Sequence, residues 1–142
     1  MTEAVIDSSI ALTWCFEDEA SAETDALFER VRDEGAVVPG LWRLEVGNVL
    51  LEAERRGRIS ARDVAQRLDL IAALPISVDP ETADRAWRDR LSLARAERLT
   101  VYDAAYLELA VRRDLPLLTL DHDLARAALR KGVAVLPTPD RI

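Results

Sequence analysis

The chain contains one cysteine, Cys15, so no internal disulfide can form and a cysteine-rich zinc site is excluded. Cys15 lies between Trp14 and Phe16 and reads as a packed core residue rather than a nucleophile. Histidine is equally scarce. His122 is the only one, so a Ser-His-Asp triad or a histidine-based zinc site would have to depend on it. Its place between Asp121 and Asp123 reads as an exposed turn. Only Lys131 among the 19 basic residues is lysine, and neither G-x-x-x-x-G-K-[ST] nor G-x-G-x-x-G occurs. Five glycines exclude a collagen-like repeat. No apolar run approaches the roughly 18 residues needed to cross a bilayer. The opening stretch, Met1 to Asp7, puts an acid rather than a base before a very short apolar run, unlike a secretory signal. A cytoplasmic, reducing setting without membrane contact is the expectation.

What the chain does have is 49% hydrophobic and 32% charged residues over 142 positions, enough for one domain spanning 1–142 with its own core. Twenty-six acids against 19 bases give a net charge of −7. A nucleic-acid partner would therefore need local basic patches or bound cations. Arg55, Arg56, Arg58 and Arg62 form one such patch, readable as phosphate contacts or as a solvated surface.

Short apolar runs alternate with helical patterns. Ala4-Val5-Ile6, Ala36-Val37-Val38, Ile76-Ser77-Val78, Leu117-Leu118-Thr119 and Ala134-Val135-Leu136 read as strands. Helices are expected over about 9–16, 21–34, 41–56, 60–74, 80–95, 101–113 and 123–131, with Gly35, Gly57 and Gly132 as stops. Trp42, Val46, Val49, Leu50 and Ala53 form an apolar stripe on the third, and Tyr102, Tyr106 and Leu109 an inner stripe on the sixth. Helical crossovers favour parallel pairing, and unbroken apolar strands favour a sheet covered on both faces. The fold class is α/β, a doubly wound parallel sheet of about five strands, with ligands at the carboxyl ends of the strands.

Position filters the acids. Asp7 follows the first strand and Asp121 the fourth, so both lie on that ligand edge. Each could instead be a helix N-cap. Asp103 stands beside the apolar face of its helix, where a charge is costly unless paired or metal-bound. Thr100 to Asp103 also has capping-box spacing. Glu45 lies on a helix flank with Asn48 and Glu52, readable as solvated. Asp79, before Pro80, reads as a helix N-cap. If the acids meet at one edge, they must take up protons or bind cations. Oxygen-only ligands select Mg²⁺ or Mn²⁺, which points to phosphoryl or phosphodiester chemistry.

Four segments, in order, carry a family resemblance. They are Val5-Ile6-Asp7-Ser8-Ser9 with Trp14-Cys15-Phe16; Pro39-Gly40-Leu41-Trp42-Arg43-Leu44-Glu45 through Leu50; Thr100-Val101-Tyr102-Asp103-Ala104-Ala105-Tyr106-Leu107; and Leu118-Thr119-Leu120-Asp121. The set resembles PIN-domain proteins, and the size resembles their VapC toxin branch. The resemblance implies a sheet ordered 3-2-1-4-5. It further implies an Mg²⁺- or Mn²⁺-dependent endoribonuclease that cuts RNA with activated water. It also implies a homodimer inhibited by a VapB-type antitoxin. Asp7, Glu45, Asp103 and Asp121 take the catalytic and metal-ligand positions. Ser8 or Ser9 is a possible auxiliary, Ser8 preferred because it adjoins Asp7, and Asp123 could share the fourth ligand role with Asp121. Two other classes remain open. A non-catalytic PIN-fold binding module is one. A phosphoacceptor receiver domain is the other, but Asp7 is followed by Ser8-Ser9 rather than a second acid and Lys131 falls late in a helix.

Overall fold

In a computed structural model that describes residues 2–139, five parallel strands form one sheet in the order β3-β2-β1-β4-β5. They are β1 (Ala4–Ile6), β2 (Ala36–Val38), β3 (Ile76–Val78), β4 (Leu117–Leu118) and β5 (Val135–Leu136). Val5 pairs with Val37 on one side and Leu117 on the other, which puts β1 at the centre. The strands β1, β2 and β4 are buried throughout, as their unbroken apolar runs require. The edge strand β3 differs: Ser77 and Val78 are exposed.

Helices α1 (Ser8–Thr13), α2 (Ala22–Glu34), α3 (Trp42–Arg55), α4 (Ala61–Ala72) and α7 (Val101–Arg113) fall where the periodicity places them, as does α8 (His122–Arg130). α1 is shorter than its pattern, because the chain turns at Trp14 into a 3₁₀ segment, Glu17–Glu19. Capping residues start most of them. Ser21 and Ser60 make reciprocal capping boxes, and Asp7, Thr100 and Asp121 cap α1, α7 and α8. α2 ends at Gly35, whose φ of 83° suits glycine; a Cβ there would sit 3.2 Å from the Pro75 carbonyl oxygen. The α3 stripe is buried at Trp42, Val46, Leu50 and Ala53, whereas Val49 faces solvent at the edge of that stripe. Each such large side chain taken from water contributes about 1.5–3 kcal/mol.

The expected helix over 80–95 is not regular. It comprises α5 (Thr82–Arg85), a π-helical turn (Ala86–Arg90) and α6 (Leu91–Glu97). The π turn buries Arg90 completely, while Trp87 is 88% exposed. Arg90 Nε reaches Glu108 of α7 at 3.1 Å and its Nη2 reaches Asp79 at 3.4 Å. Arg112 joins the same two acids, Nη2 to Asp79 at 2.8 Å and Nε to Glu108 at 2.8 Å, and Arg113 adds a contact to Asp79 at 3.3 Å. Asp79 is therefore not the N-cap its place before Pro80 suggests. Its side chain is wholly buried and turned to three guanidinium groups, of which Arg112 and Arg113 outweigh the cost of desolvation and hold its carboxyl below the usual range. This ionic knot fastens the β3 end and α5–α6 to the flank of α7, the helix that carries Asp103.

Among the described residues no helix is long and apolar enough to cross a membrane. Cys15 is buried, and burial pushes its thiol up to about 11, consistent with a packing role.

Candidate active site

Asp7 emerges from the centre of the sheet, where β1 must stop and α1 must begin. Its Oδ1 caps α1 by accepting the Ser9 N–H at 2.6 Å and also accepts the Ser9 hydroxyl. Oδ2 accepts the Thr119 hydroxyl from the end of β4. Of the two serines, Ser9 is the one that hydrogen-bonds Asp7. An N-cap side chain meets the second helical residue, while the first points away. Ser9 Oγ in turn accepts the Leu120 N–H at 2.9 Å, and Thr119 Oγ1 accepts the Asp121 N–H at 3.0 Å. Two hydroxyls therefore lace the end of β1 to the end of β4. Asp121 caps α8 through Leu124 N–H at 2.9 Å, using only Oδ1.

Asp103 lies in the first turn of α7. Its N–H donates to Thr100 Oγ1 at 3.1 Å, so the expected cap is present. The return bond, which Asp63 makes to the Ser60 N–H at 2.9 Å, is not made by Asp103 to Thr100 N–H among the described residues. The Thr100 side chain offsets part of the rise in the Asp103 carboxyl. Glu45, on α3, is half-buried, and its Oε1 accepts the Tyr106 hydroxyl from the next turn of α7. Burial and Glu45 push the Tyr106 phenol far up, which keeps it a donor.

These four acids come from four parts of the chain and act on one another. Burial raises the Asp103 carboxyl to about 6, and the charges of Asp121, Asp7 and Glu45 add to it. Burial also raises Asp7, against its three hydrogen bonds and with Asp121 adding repulsion. Glu45 rises by burial, then by the charge of Asp7. The shifts of Asp7, Glu45 and Asp103 share one cause, burial, with repulsion from neighbouring carboxylates added to it. A cleft of about 180 Å³ opens beside Asp121, lined in part by Thr119, His122 and Thr138.

Among the described residues, no three His, Cys, Asp or Glu side chains group closely enough to grip an ion directly. The donor set nonetheless fits a hydrated hard cation. All its donors are oxygens, and Mg²⁺ keeps several of its waters while taking one or two carboxylates.

Other sequence candidates fall outside this group. Asp123 is 72% exposed and paired with Arg126 at 3.5 Å. His122 is exposed, as expected. Arg58 is held by Asp18 and Glu19 and lies 4.0 Å from the Phe16 ring centroid, and Arg55 and Arg56 pair with Glu52. Arg62 is exposed. Tyr102, expected in the inner stripe of α7, is 65% exposed. Sequence reasoning missed the parts played by Tyr106 and Thr119. Thr119 gave one signal, a hydroxyl at the end of an otherwise apolar strand two residues before an acid.

A central parallel sheet ordered 3-2-1-4-5, with acids gathered at its carboxyl edge, defines a class of α/β domain, and comparison places the chain within it. The model of the PIN domain matches residues 4–129, and the chain belongs to that family. It is 32% identical over 133 residues to a protein named ribonuclease VapC1 from Mycobacterium tuberculosis, covering 89% of this chain and 92% of that one. It is 27% identical over 121 residues to a ribonuclease VapC3 from Pyrobaculum aerophilum, covering 85% and 91%. The crystal structure of PAE2754 from P. aerophilum superposes with a TM-score of 0.71 over 95% of this chain and 84% of that one, at 24% identity. That superposition speaks to the fold alone, whereas the two named relatives are distant homologues over most of the chain.

Proposed function

We propose that this chain is an Mg²⁺- or Mn²⁺-dependent endoribonuclease, the toxin of a VapBC-type pair. The observation that carries the proposal is the lacing of Asp7 at the end of β1 to Thr119 at the end of β4, the residue that also holds the Asp121 N–H, with the raised Asp103 carboxyl in support. The names of the two relatives support the ribonuclease class.

Asp7, Glu45, Asp103 and Asp121 would hold one or two divalent ions, partly through water. When bound, such an ion lowers the pKa of water and neutralises charge developing on a phosphodiester. The protein's own part is orientation. Ser9 and Thr119 fix both oxygens of Asp7, Tyr106 fixes Glu45, and the α8 cap fixes one oxygen of Asp121. Asp103, free of a return bond, is the acid best placed to accept a proton from an attacking water. Hydrolysis adds water across the bond between phosphorus and the 3′ oxygen, which leaves 5′-phosphate and 3′-hydroxyl ends. Because the 2′-hydroxyl takes no part, selection of RNA falls to contacts around the groove.

The same proposal includes a cytoplasmic homodimer and a VapB-type antitoxin that occupies the groove. The test is cleavage of single-stranded RNA with millimolar Mg²⁺ or Mn²⁺, with and without EDTA, using wild type and Asp7→Asn. Cleavage by the wild type alone, lost in EDTA, is expected. Asparagine caps a helix as well as aspartate, so Asp7→Asn should fold. Equal turnover by both proteins, or no turnover by either, would point to a PIN fold that only holds a partner.

A further inference from the structure

The end of α6 and one side of α8 enclose a cavity of about 590 Å³, lined by Glu97, Arg98, Asp123, Arg126 and Arg130. Chain geometry sets it beside the acids. Consecutive Cα atoms are about 3.8 Å apart, so Asp123 stands within about 8 Å of Asp121, and Arg98 within about 8 Å of Thr100. Thr100 Oγ1 holds the N–H of Asp103 at 3.1 Å, and α7 packs on α8. The two walls of the cavity therefore run directly into the two segments that carry Asp103 and Asp121.

Three guanidiniums share this cavity with two carboxylates, in a chain whose net charge is −7. Both carboxylates are already matched. Glu97, with its side chain only 6% exposed, has Oε2 3.5 Å from Arg130 Nη2 and Oε1 3.9 Å from Lys131 Nζ. Its buried charge gathers two cations from the end of α8 at the cavity wall. Asp123 Oδ1 lies 3.5 Å from Arg126 Nη1. These pairs are long, and Arg126 and Arg130 are both exposed. Exposed pairs hold weakly, and a guanidinium has five N–H donors, so both arginines keep donors for a ligand. Arg98 is exposed and makes no ion pair among the described residues. It ends α6 with a φ of 57°, in the left-handed region that favours glycine. A large cationic side chain kept at such a position is a pointer to use.

We propose that this cavity is a phosphate subsite, in which Arg98, Arg126 and Arg130 hold a backbone phosphate of the RNA strand next to the one at the acids. The proposal rests on the nuclease reading for its choice of strand. A guanidinium fork matches two phosphate oxygens at once and stays charged at any working pH. A phosphate gripped here needs no divalent ion, so it anchors a strand whose next phosphate the bare acids would repel. The contact carries no base information and sets the register of the strand instead. The three arginines are positioning residues, not catalytic ones.

The test is anisotropy of a short labelled single-stranded RNA in EDTA and in Mg²⁺, read over a salt series beside cleavage kinetics. Arg98→Ala with Arg126→Ala should raise Kd about tenfold or more in both media, the loss of two charge-assisted contacts. KM should rise with it, while kcat stays within about twofold. The slope of log Kd against log salt should fall by about 0.7 for each guanidinium removed, a change that a purely structural role would not produce. Arg98→Lys should keep the slope and recover part of the affinity. The urea midpoint of Arg98→Ala should not move, since the side chain is exposed and outside any ion pair among the described residues. Arg88→Ala removes the same charge from an exposed position on the π turn and should leave Kd within about twofold. Wild-type Kd and slope in the double variant would overturn the subsite, as would an equal loss in Arg88→Ala or no RNA binding by the wild type. So would unchanged RNA binding with a dimer that falls to monomer, which would make the cavity a contact between protein copies. If RNA binds through Arg98 and Arg126 but is never cleaved, the nuclease reading fails and the subsite stands. Cleavage with an unchanged KM in the double variant is the reverse.

Discussion

Thr119 donates its hydroxyl to Asp7 and accepts the N–H of Asp121 with the same oxygen. Thr119→Val keeps the shape and removes both bonds. The variant should lose about 1–3 kcal/mol in urea denaturation, because a buried acceptor and a backbone donor are left unpaired. Its metal affinity should weaken as Asp7 loses a fixed oxygen, read by titration with Mn²⁺. Asp103 gives a pH signature. Its carboxyl in the fold, about 6, lies above the ordinary 3.8. Between those values the folded protein keeps a proton that the unfolded chain releases, so this group favours the fold at low pH and that advantage is lost as pH rises through 6. Asp7 and Glu45 are shifted the same way. Asp79 is lowered and works in reverse, its contribution fading only as pH falls below the usual carboxylate range. The Tm of metal-free protein should therefore decline from about pH 5 to pH 7.5, and Asp103→Asn should flatten that decline. A Tm that climbs over this window in EDTA would contradict the mutual repulsion of the acids.

At the scale of elements, the ionic knot makes a strong claim. Arg90 is 1% exposed and bonds Asp79 and Glu108, themselves almost wholly buried. Arg90→Ala leaves both acids short of a partner and should destabilise by about 3–5 kcal/mol, measured as a fall in urea midpoint. Arg90→Met with Glu108→Leu should recover part of that loss, since an apolar pair of similar volume needs no desolvation of charge. Nothing in the local sequence announced this knot. Arg90 stands in an ordinary helical pattern, and only the surplus residue of the π turn swings it inward and Trp87 outward. By contrast, α7 was legible to the residue: Thr100 marks its cap and Arg112-Arg113 its end. The strands were legible too, since a three-residue run such as Ala4-Val5-Ile6 between polar turns has few alternatives. Asp7 and Asp121 stand out in the sequence by following strands and Asp103 by lying beside an apolar face, whereas Glu45 stands out only through the motif resemblance. Their hydroxyl partners do not stand out, because a hydrogen bond between residues 7 and 119 depends on the pairing of β1 with β4. Tyr102 was misplaced too: burial on α7 begins only at Ala104, so a residue in phase with the core still meets solvent in the first turn.

For the whole molecule, the sheet order fixes what a cation should do. A divalent ion that binds only where all four segments are docked stabilises the fold by mass action. At about ten times its Kd the gain is about 1.4 kcal/mol, a rise in Tm of about 3–5 °C for a domain of this size. Differential scanning fluorimetry with Mg²⁺, Mn²⁺ and EDTA reads it directly, and Asp7→Asn should remove the shift without lowering the metal-free Tm by more than about 1–2 °C. The contributors to that centre are spread from position 7 to position 121, through β1, α3, α7 and the turn after β4. Half a chain therefore holds at most half of the acids in place. During translation β1 waits for its neighbour β4, which is made more than a hundred residues later, so a ribosome part-way along this message carries an inert polypeptide.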